Sequence, residues 1–432
     1  MQVKKTRIQN IRGNLITLQA VGPAMGELAE VIRRDTSRSL ASVIRIDSDK
    51  VTLQVFDSTR GISVNDEVVF LRDYFRLGIS DDCLGSVFSG SGKLKMGVDA
   101  GHERIEVGRP SFNPMKRRMP SLMIRTNLPM IDMFNTFVRG QKIPLFCSPG
   151  SKPVEVLCRI ANQTDADVVI IGGMGLTQTQ YEKFIQNART SGSLNRTLFY
   201  AHLATDPVNE AVMVPDLALA AAEYFALKGK NVLVLLTDMV AFADALKEIA
   251  ISLDFVPANR GYSSDLYTQL AMRYEKAVEI EGNGALTILA STTLPANDVT
   301  HPIPDLTGYI TEGQFYLNID CIEPFGSLSR LKQLVIGKTT RTDHGHLANA
   351  MIRLYADALK AKERDRMGFK LSSWDNKLLK YQQQFRAKFM SLEVNIPLEE
   401  ALDQGWKMLS DCFEKEEVGI KKEVVDIHWA CV

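Results

Sequence analysis

The sequence predicts a multidomain α/β chain. It has an N-terminal β-barrel over residues 1–72, a central α/β nucleotide-binding fold of the P-loop type over 73–345, and a C-terminal helical bundle over 346–432. Three observations carry this. Short alternating apolar runs between turn residues fill the first stretch. Nearly continuous apolar runs alternate with amphipathic ones in the second. Past His346 only helical stripes remain.

In the first stretch, Ile16, Leu18 and Ala20 alternate with polar neighbours, as do Val51, Leu53 and Val55. Val43 to Ile46 and Val68 to Leu71 complete the strands, with turns at Asp47 to Asp49, Asp57 to Gly61 and Asn65-Asp66. Such spacing suits a small barrel. An oligonucleotide-gripping barrel would need stacking aromatics and basic residues between them. Only Phe56 and Phe70 are available, which favours a structural barrel.

Residues 73–140 read as a connection. Its Ser89-Gly90-Ser91-Gly92-Lys93 imitates a phosphate loop, but Val87 occupies the first glycine position and Leu94 follows the lysine, so a flexible hairpin is the better reading. From 141 to 345, strands are expected at Val168 to Gly172, Thr197 to Leu203, Val232 to Thr237, Ala285 to Ala290 and Gly313 to Leu317. Continuous apolar runs of this kind suit a sheet covered on both faces. Leu217 to Phe225 is strongly helix-forming, and Leu266, Leu270 and Tyr274 share one helical face after Ser263-Ser264. Three later stripes give the bundle: Leu347, Ala350, Met351, Leu354, Tyr355 and Ala358; Trp374, Leu378, Phe385 and Phe389; and Leu398, Leu402, Leu409 and Phe413, the last entered through Pro397.

The chemistry is read from Pro144 to Pro153. Arg139 to Ile143 begins a strand, a small-residue loop follows, and Val154 to Ala161 opens a helix. A P-loop sits in this setting, aiming backbone N–H groups and a helix N-terminus at phosphate oxygens. The required G-x-x-x-x-G-K-[ST] is broken. With Gly150 as second glycine, the first falls on Leu145 and the lysine position holds Ser151. With Lys152 as the lysine, the glycine positions hold Phe146 and Ser151, and Pro153 replaces the metal-binding hydroxyl. The reading is a nucleotide-binding fold whose own phosphate loop has decayed. A residual nucleotide site would rest on Gly150, Lys152 and Asp238. Asp238 ends the apolar Val232 to Thr237 run, where it either orients magnesium or caps the helix beginning near Val240.

Composition narrows the classes. Lys+Arg and Asp+Glu both total 51, which argues against a nucleic-acid or membrane-surface binder. The six cysteines, Cys83, Cys147, Cys158, Cys321, Cys412 and Cys431, form no C-x-x-C pair and read as reduced cytosolic thiols. Met1 to Arg7 lacks the apolar core of a signal peptide, and no apolar run approaches the roughly 20 residues of a membrane span. No metal site is expected: His301 has no partner at ligand spacing, and Asp343, His344 and His346 open a helix, where capping is the plainer role.

Four stretches carry a family resemblance: Val138 to Phe146, Val234 to Met239, Thr300 to Gln314 and Ser327 to Leu331. On them the chain resembles the B subunits of V/A-type rotary proton ATPases over nearly its full length. The resemblance implies a RecA-like central domain and a non-catalytic, regulatory subunit. It further implies an alternating A3B3 hexamer with the catalytic A subunit, central and peripheral stalk subunits as further partners, and ATP or ADP with magnesium at the A–B interfaces. Membrane contact would come only through the complex, leaving the chain cytoplasmic and peripheral. In the catalytic relatives a glutamate follows the glycine turn that corresponds to Gly172 to Gly175; here Leu176 stands in its place and cannot polarise water. The relatives lend an arginine finger across the interface, and that residue maps onto Arg330. Arg260-Gly261-Tyr262 also matches a family segment, but Ser263-Ser264 replaces the usual Pro-Gly, so Arg260 reads as an ordinary surface or packing arginine rather than a nucleotide contact. Two rival readings are a self-sufficient ATPase, opposed by the broken loop and Leu176, and a hexameric RNA-binding motor, opposed by charge and barrel composition.

Overall fold

The computed structural model describes residues 5–56 and 58–429. Asp57 of one expected turn, Cys431, and residues 1–4 of the N-terminal reading lie outside them. Six strands close the barrel: β1 (Lys5–Arg12), β2 (Leu15–Gln19), β3 (Leu28–Ile32), β4 (Arg38–Asp47), β5 (Lys50–Val55) and β6 (Glu67–Phe70), in the order β1-β2-β5-β4-β3-β6, with β6 paired back to β1. Alternation explains the interior. Ile16, Leu18, Val51, Leu53, Val55 and Val68 all point inward and are fully buried. β1 and β3 were not among the expected strands. Their alternation is masked, in β1 by polar residues on both faces and in β3 by Leu28 and Ile32, apolar residues on the face that Glu30 shares.

The linking region contains β7 (Arg76–Ile79), β8 (Val87–Ser89), β9 (Leu94–Met96), β10 (Glu103–Glu106), β11 (Arg117–Arg118) and α1 (Pro129–Asp132). The core then alternates: β12 (Lys142–Cys147), α2 (Pro153–Gln163), β13 (Val168–Leu176), α3 (Gln178–Thr190), β14 (Thr197–Leu203), α4 (Val208–Leu227), β15 (Asn231–Leu236), α5 (Met239–Ser252), α6 (Leu266–Tyr274), β16 (Val278–Ile280), β17 (Ala285–Thr293), α7 (Pro302–Ile310), β18 (Gly313–Leu317) and β19 (Leu328–Ser329). The main sheet runs β19-β18-β12-β17-β15-β13-β14-β8-β9, parallel from β18 to β8 and antiparallel at both edges. Along β13, Val169 and Ile171 join the core with α2 and α3, whereas Val168 and Ile170 join the one with α4 and α5. Both faces are covered, so the strands read as unbroken apolar runs.

Two expectations give way. The stretch 73–140 is more than a connection: the Ser89 to Lys93 hairpin turn joins β8 to β9, and β8 extends the main sheet beside β14. Pro144 to Cys147 belong to β12, which leaves only Ser148 to Lys152 as loop.

Four helices follow: α8 (His344–Arg366), α9 (Ser373–Phe385), α10 (Leu398–Cys412) and α11 (Lys422–Trp429). Every residue of the first stripe is buried. A π-helical turn at Arg386–Met390 extends α9 and keeps Phe389 against Phe385 at 5.7 Å between ring centroids. No helix among the described residues is long and apolar enough to cross a membrane.

α10 approaches α8 closely at Gly405, where an added Cβ would lie 2.9 Å from Met351 Sδ and 3.1 Å from Leu347 Cδ2. Gly405→Val should therefore destabilise the helical region by about 1–3 kcal/mol through overpacking. Trp374, Trp406 and Trp429, the three tryptophans of the chain, all lie in this region, so denaturation followed by tryptophan fluorescence checks the value.

Candidate functional site

The loop Ser148 to Lys152 leaves the C-terminal end of β12 and enters α2. Ser148 N donates to Leu317 O at 2.9 Å, and Ser148 Oγ to Asn318 Oδ1 at 3.1 Å, which ties the loop to the end of β18. Ser151 N donates to Ser148 O at 3.1 Å, and Gly150 turns the chain at φ +83°. Pro153 is the first residue of α2 and brings no N–H. Lys152 is exposed, with Nζ 3.8 Å from Glu155 Oε2. Glu155 lies in the first turn of α2 and accepts from Lys183 Nζ at 2.5 Å, a contact that lowers its pKa. A carboxylate thus already faces the positive end of the helix, where a phosphate would otherwise sit.

Asp238 follows β15 and caps α5. Its Oδ1 accepts from Val240 N at 3.0 Å and Thr293 N at 3.2 Å, and its Oδ2 from Thr293 Oγ1 at 2.9 Å. Burial raises its pKa against these three donors. Both oxygens are engaged, and Pro153 supplies no hydroxyl, so this chain's own residues do not fit a magnesium ion. Among the described residues no three His, Cys, Asp or Glu side chains gather at metal-binding spacing.

The glycine turn expected at Gly172 to Gly175 is instead the C-terminal part of β13, which is held from two sides. Met174 N donates to Thr237 Oγ1 at 2.9 Å, and Gly175 N to His202 Nδ1 at 3.0 Å. Leu176 is buried. His202 was not singled out from the sequence, although it is the one ionisable residue with a charge change near neutral pH inside the buried β14 run.

Arg330 lies elsewhere. It follows β19, which pairs antiparallel with β18 through Gly313 and Ser329. Arg330 N donates to Glu312 O at 2.9 Å, and its side chain is exposed with no hydrogen bond or ion pair among the described residues. The main chain beneath it is fixed. Buried Gln141 donates from Nε2 to Glu312 O at 3.0 Å and to Ser329 Oγ at 3.1 Å, and its Oε1 accepts from Val138 N at 3.0 Å. Lys142 Nζ binds Glu312 Oε1 at 2.6 Å and Glu275 Oε1 at 3.1 Å. Gly313 has φ +136°, and a Cβ there would meet Leu328 O at 2.0 Å, so the close β18–β19 approach requires glycine.

Arg330, expected to act on a neighbouring chain, lies apart from the three residues expected of a residual nucleotide site. Gly150, Lys152 and Asp238 lie at the C-terminal edge of the parallel sheet, with β17 between the strands that carry them. Arg330 leaves the N-terminal end of β18, whose five residues separate the two levels by roughly 15 Å.

The remaining residues singled out from the sequence make local contacts. Arg260 pairs with Asp298 at 2.9 Å, and its carbonyl accepts from Lys247 Nζ. His301 precedes α7 and packs edge-on against Tyr262. Asp343 precedes α8 but makes no side-chain cap, contrary to expectation. Its carboxylate instead takes Arg341 and the Trp406 indole N–H at 2.7 Å, because a buried acid needs charged and N–H partners more than a helix end needs a cap. His344 Nε2 lies 2.7 Å from Met133 O.

Burial lowers the pKa of His202 below the ordinary 6.5. The folded state thus binds this proton less readily than the unfolded state, so its contribution is intact above the ordinary value and is lost as pH falls below it. Acidification from about pH 7.5 to about pH 5.5 should destabilise the chain, and His202→Gln should show a shallower loss in denaturation series across that range.

The domain described as "ATP synthase alpha/beta family, beta-barrel domain" matches residues 8–72. The nucleotide-binding domain of that family matches residues 128–324, and the "C-terminal domain of V and A type ATP synthase" matches 334–428. The V-type ATP synthase beta chain of Protochlamydia amoebophila is 59% identical over 99% of this chain and 98% of its own. Those of Chlamydia trachomatis serovar L2b and Chlamydia pneumoniae are 56% and 55% identical over the full length of both chains. With three domain matches in the observed order and relatives this similar end to end, the chain belongs to the ATP synthase alpha/beta family, as a member of its V-type beta chains.

Proposed function

We propose that this chain is the non-catalytic, regulatory B subunit of a V/A-type rotary proton ATPase or ATP synthase. In this reading it alternates with catalytic A subunits around the central stalk and joins the membrane only through the complex. ATP or ADP is held at the A–B interface, with phosphates and magnesium on the A subunit's intact loop. This chain contributes Arg330. The observation that carries the reading is the pairing of a broken phosphate loop with an arginine that is rigidly based and, among the described residues, free of side-chain partners.

The chemistry is electrostatic. Phosphoryl transfer spreads negative charge over the γ-phosphate oxygens, and a guanidinium delivered from a neighbouring chain stabilises it without itself reacting. An arginine already bound to a carboxylate would first have to break that pair. Arg330 has no such pair among the described residues. Gly150 and Lys152 form at most a residual nucleotide contact, because Glu155 holds the helix end and Asp238 is committed to Thr293 and Val240.

Arg330→Lys in the reconstituted complex should lower ATP turnover by about 10³–10⁵, the range for a lost arginine finger, with hexamer assembly unchanged. Steady-state hydrolysis beside size-exclusion chromatography checks both halves. Turnover near the unmodified rate would remove the assignment.

A further inference from the structure

We propose that Gln141 is a positioning residue for Arg330: it fixes the main chain from which the guanidinium is delivered. The inference rests on the role proposed for Arg330 and adds a second residue, distant in sequence, that sets its placement.

The geometry is specific. The Glu312 carbonyl accepts two donors, Arg330 N at 2.9 Å and Gln141 Nε2 at 3.0 Å. Gln141 also exchanges hydrogen bonds with Ser329 Oγ, at 3.1 Å from Nε2 and 3.2 Å from Oε1. One amide thus holds the main chain leading into Arg330 at two points: the residue before it through a hydroxyl, and its own N–H through a shared acceptor. Gln141 is fully buried and Ser329 nearly so, which keeps water from substituting for either bond. Gln141 is itself fixed by Val138 N at 3.0 Å and by the start of β12, the parallel strand next to β18. β19 is only two residues long and cannot hold a register alone. A flexible arginine would still find the phosphate, but it would spend less time in the productive pose, so turnover should fall without loss of substrate affinity.

The test uses the complete complex. Gln141→Met keeps length and volume but removes every hydrogen bond of the amide. With Arg330 present, it should lower kcat about tenfold and leave KM for MgATP within about twofold, as expected for lost positioning rather than lost binding. Repeated in an Arg330→Ala background, the same change should cost less than about twofold, because the residue it positions is gone. An equal loss in both backgrounds would mean that Gln141 supports the fold generally, and would overturn the inference. So would an unchanged kcat with Arg330 present. If Gln141→Met fails to assemble, Ser329→Ala removes a single hydroxyl and takes the same two-background comparison: a loss confined to the Arg330 background supports the positioning role, and an equal loss or none overturns it. If Arg330→Ala alone turns over normally, the proposed role of Arg330 falls first and this inference with it. Loss in Arg330→Ala combined with no effect of Gln141→Met sinks the positioning role alone.

Discussion

One short strand, β18, ties together two sites that lie at opposite ends of it. Its carboxyl end, at Leu317 and the following Asn318, receives Ser148 of the loop between β12 and α2. Its amino end begins at Gly313, beside the Glu312 carbonyl that receives Arg330. β18 keeps this position because β12 holds it on one side in parallel register and β19 caps it on the other. Gly313 makes the second contact feasible, since any Cβ would collide with the Leu328 carbonyl. A strand fixed on both sides cannot slip, because a one-residue slip would turn buried Phe315 and Leu317 outward.

The two ends of β18 differ in how their neighbours are held. The main-chain contacts of the loop at Ser148 to Lys152 stay at its own edge of the sheet. The base of Arg330 has the reverse character. It is enclosed by Gln141, Ser329, Lys142 and Glu312, and removing the Gln141 amide takes a partner from the buried Ser329 hydroxyl and the buried Val138 N–H.

Most of the architecture was legible because each domain has its own hydrophobic period. Alternation gives the barrel strands at Leu15–Gln19 and Lys50–Val55, continuous runs give β13 to β15 and β17, and helical stripes give α8 to α10. The failures are also physical. β8 and β19 are three and two residues long, and they exist only through pairing with β14 and β18, which no local pattern announces. Asp238 posed an undecided choice between metal and cap. Thr293, 55 positions later, supplies two of the three donors that commit it to the cap. The family stretches at Gln141, Glu312 and Ser329 read as separate motifs, and only the folded chain makes them one network around Arg330.

The use of glutamine rather than a charged residue at position 141 follows from burial. Lys142, its neighbour, is nearly enclosed and is tolerated because two carboxylates, Glu275 and Glu312, face its ammonium. A second charge beside that cluster would need its own counter-ion and would pull on the Glu312 carboxylate that Lys142 holds. A neutral amide avoids the desolvation cost and offers donor and acceptor together, so it can answer Val138 N, Ser329 Oγ and Glu312 O at once. The result is a rigid base to which Gln141 itself adds no charge. Lys142 has its charge met by Glu275 and Glu312, so the network under Arg330 is paired within itself, whereas the exposed guanidinium has no side-chain partner among the described residues.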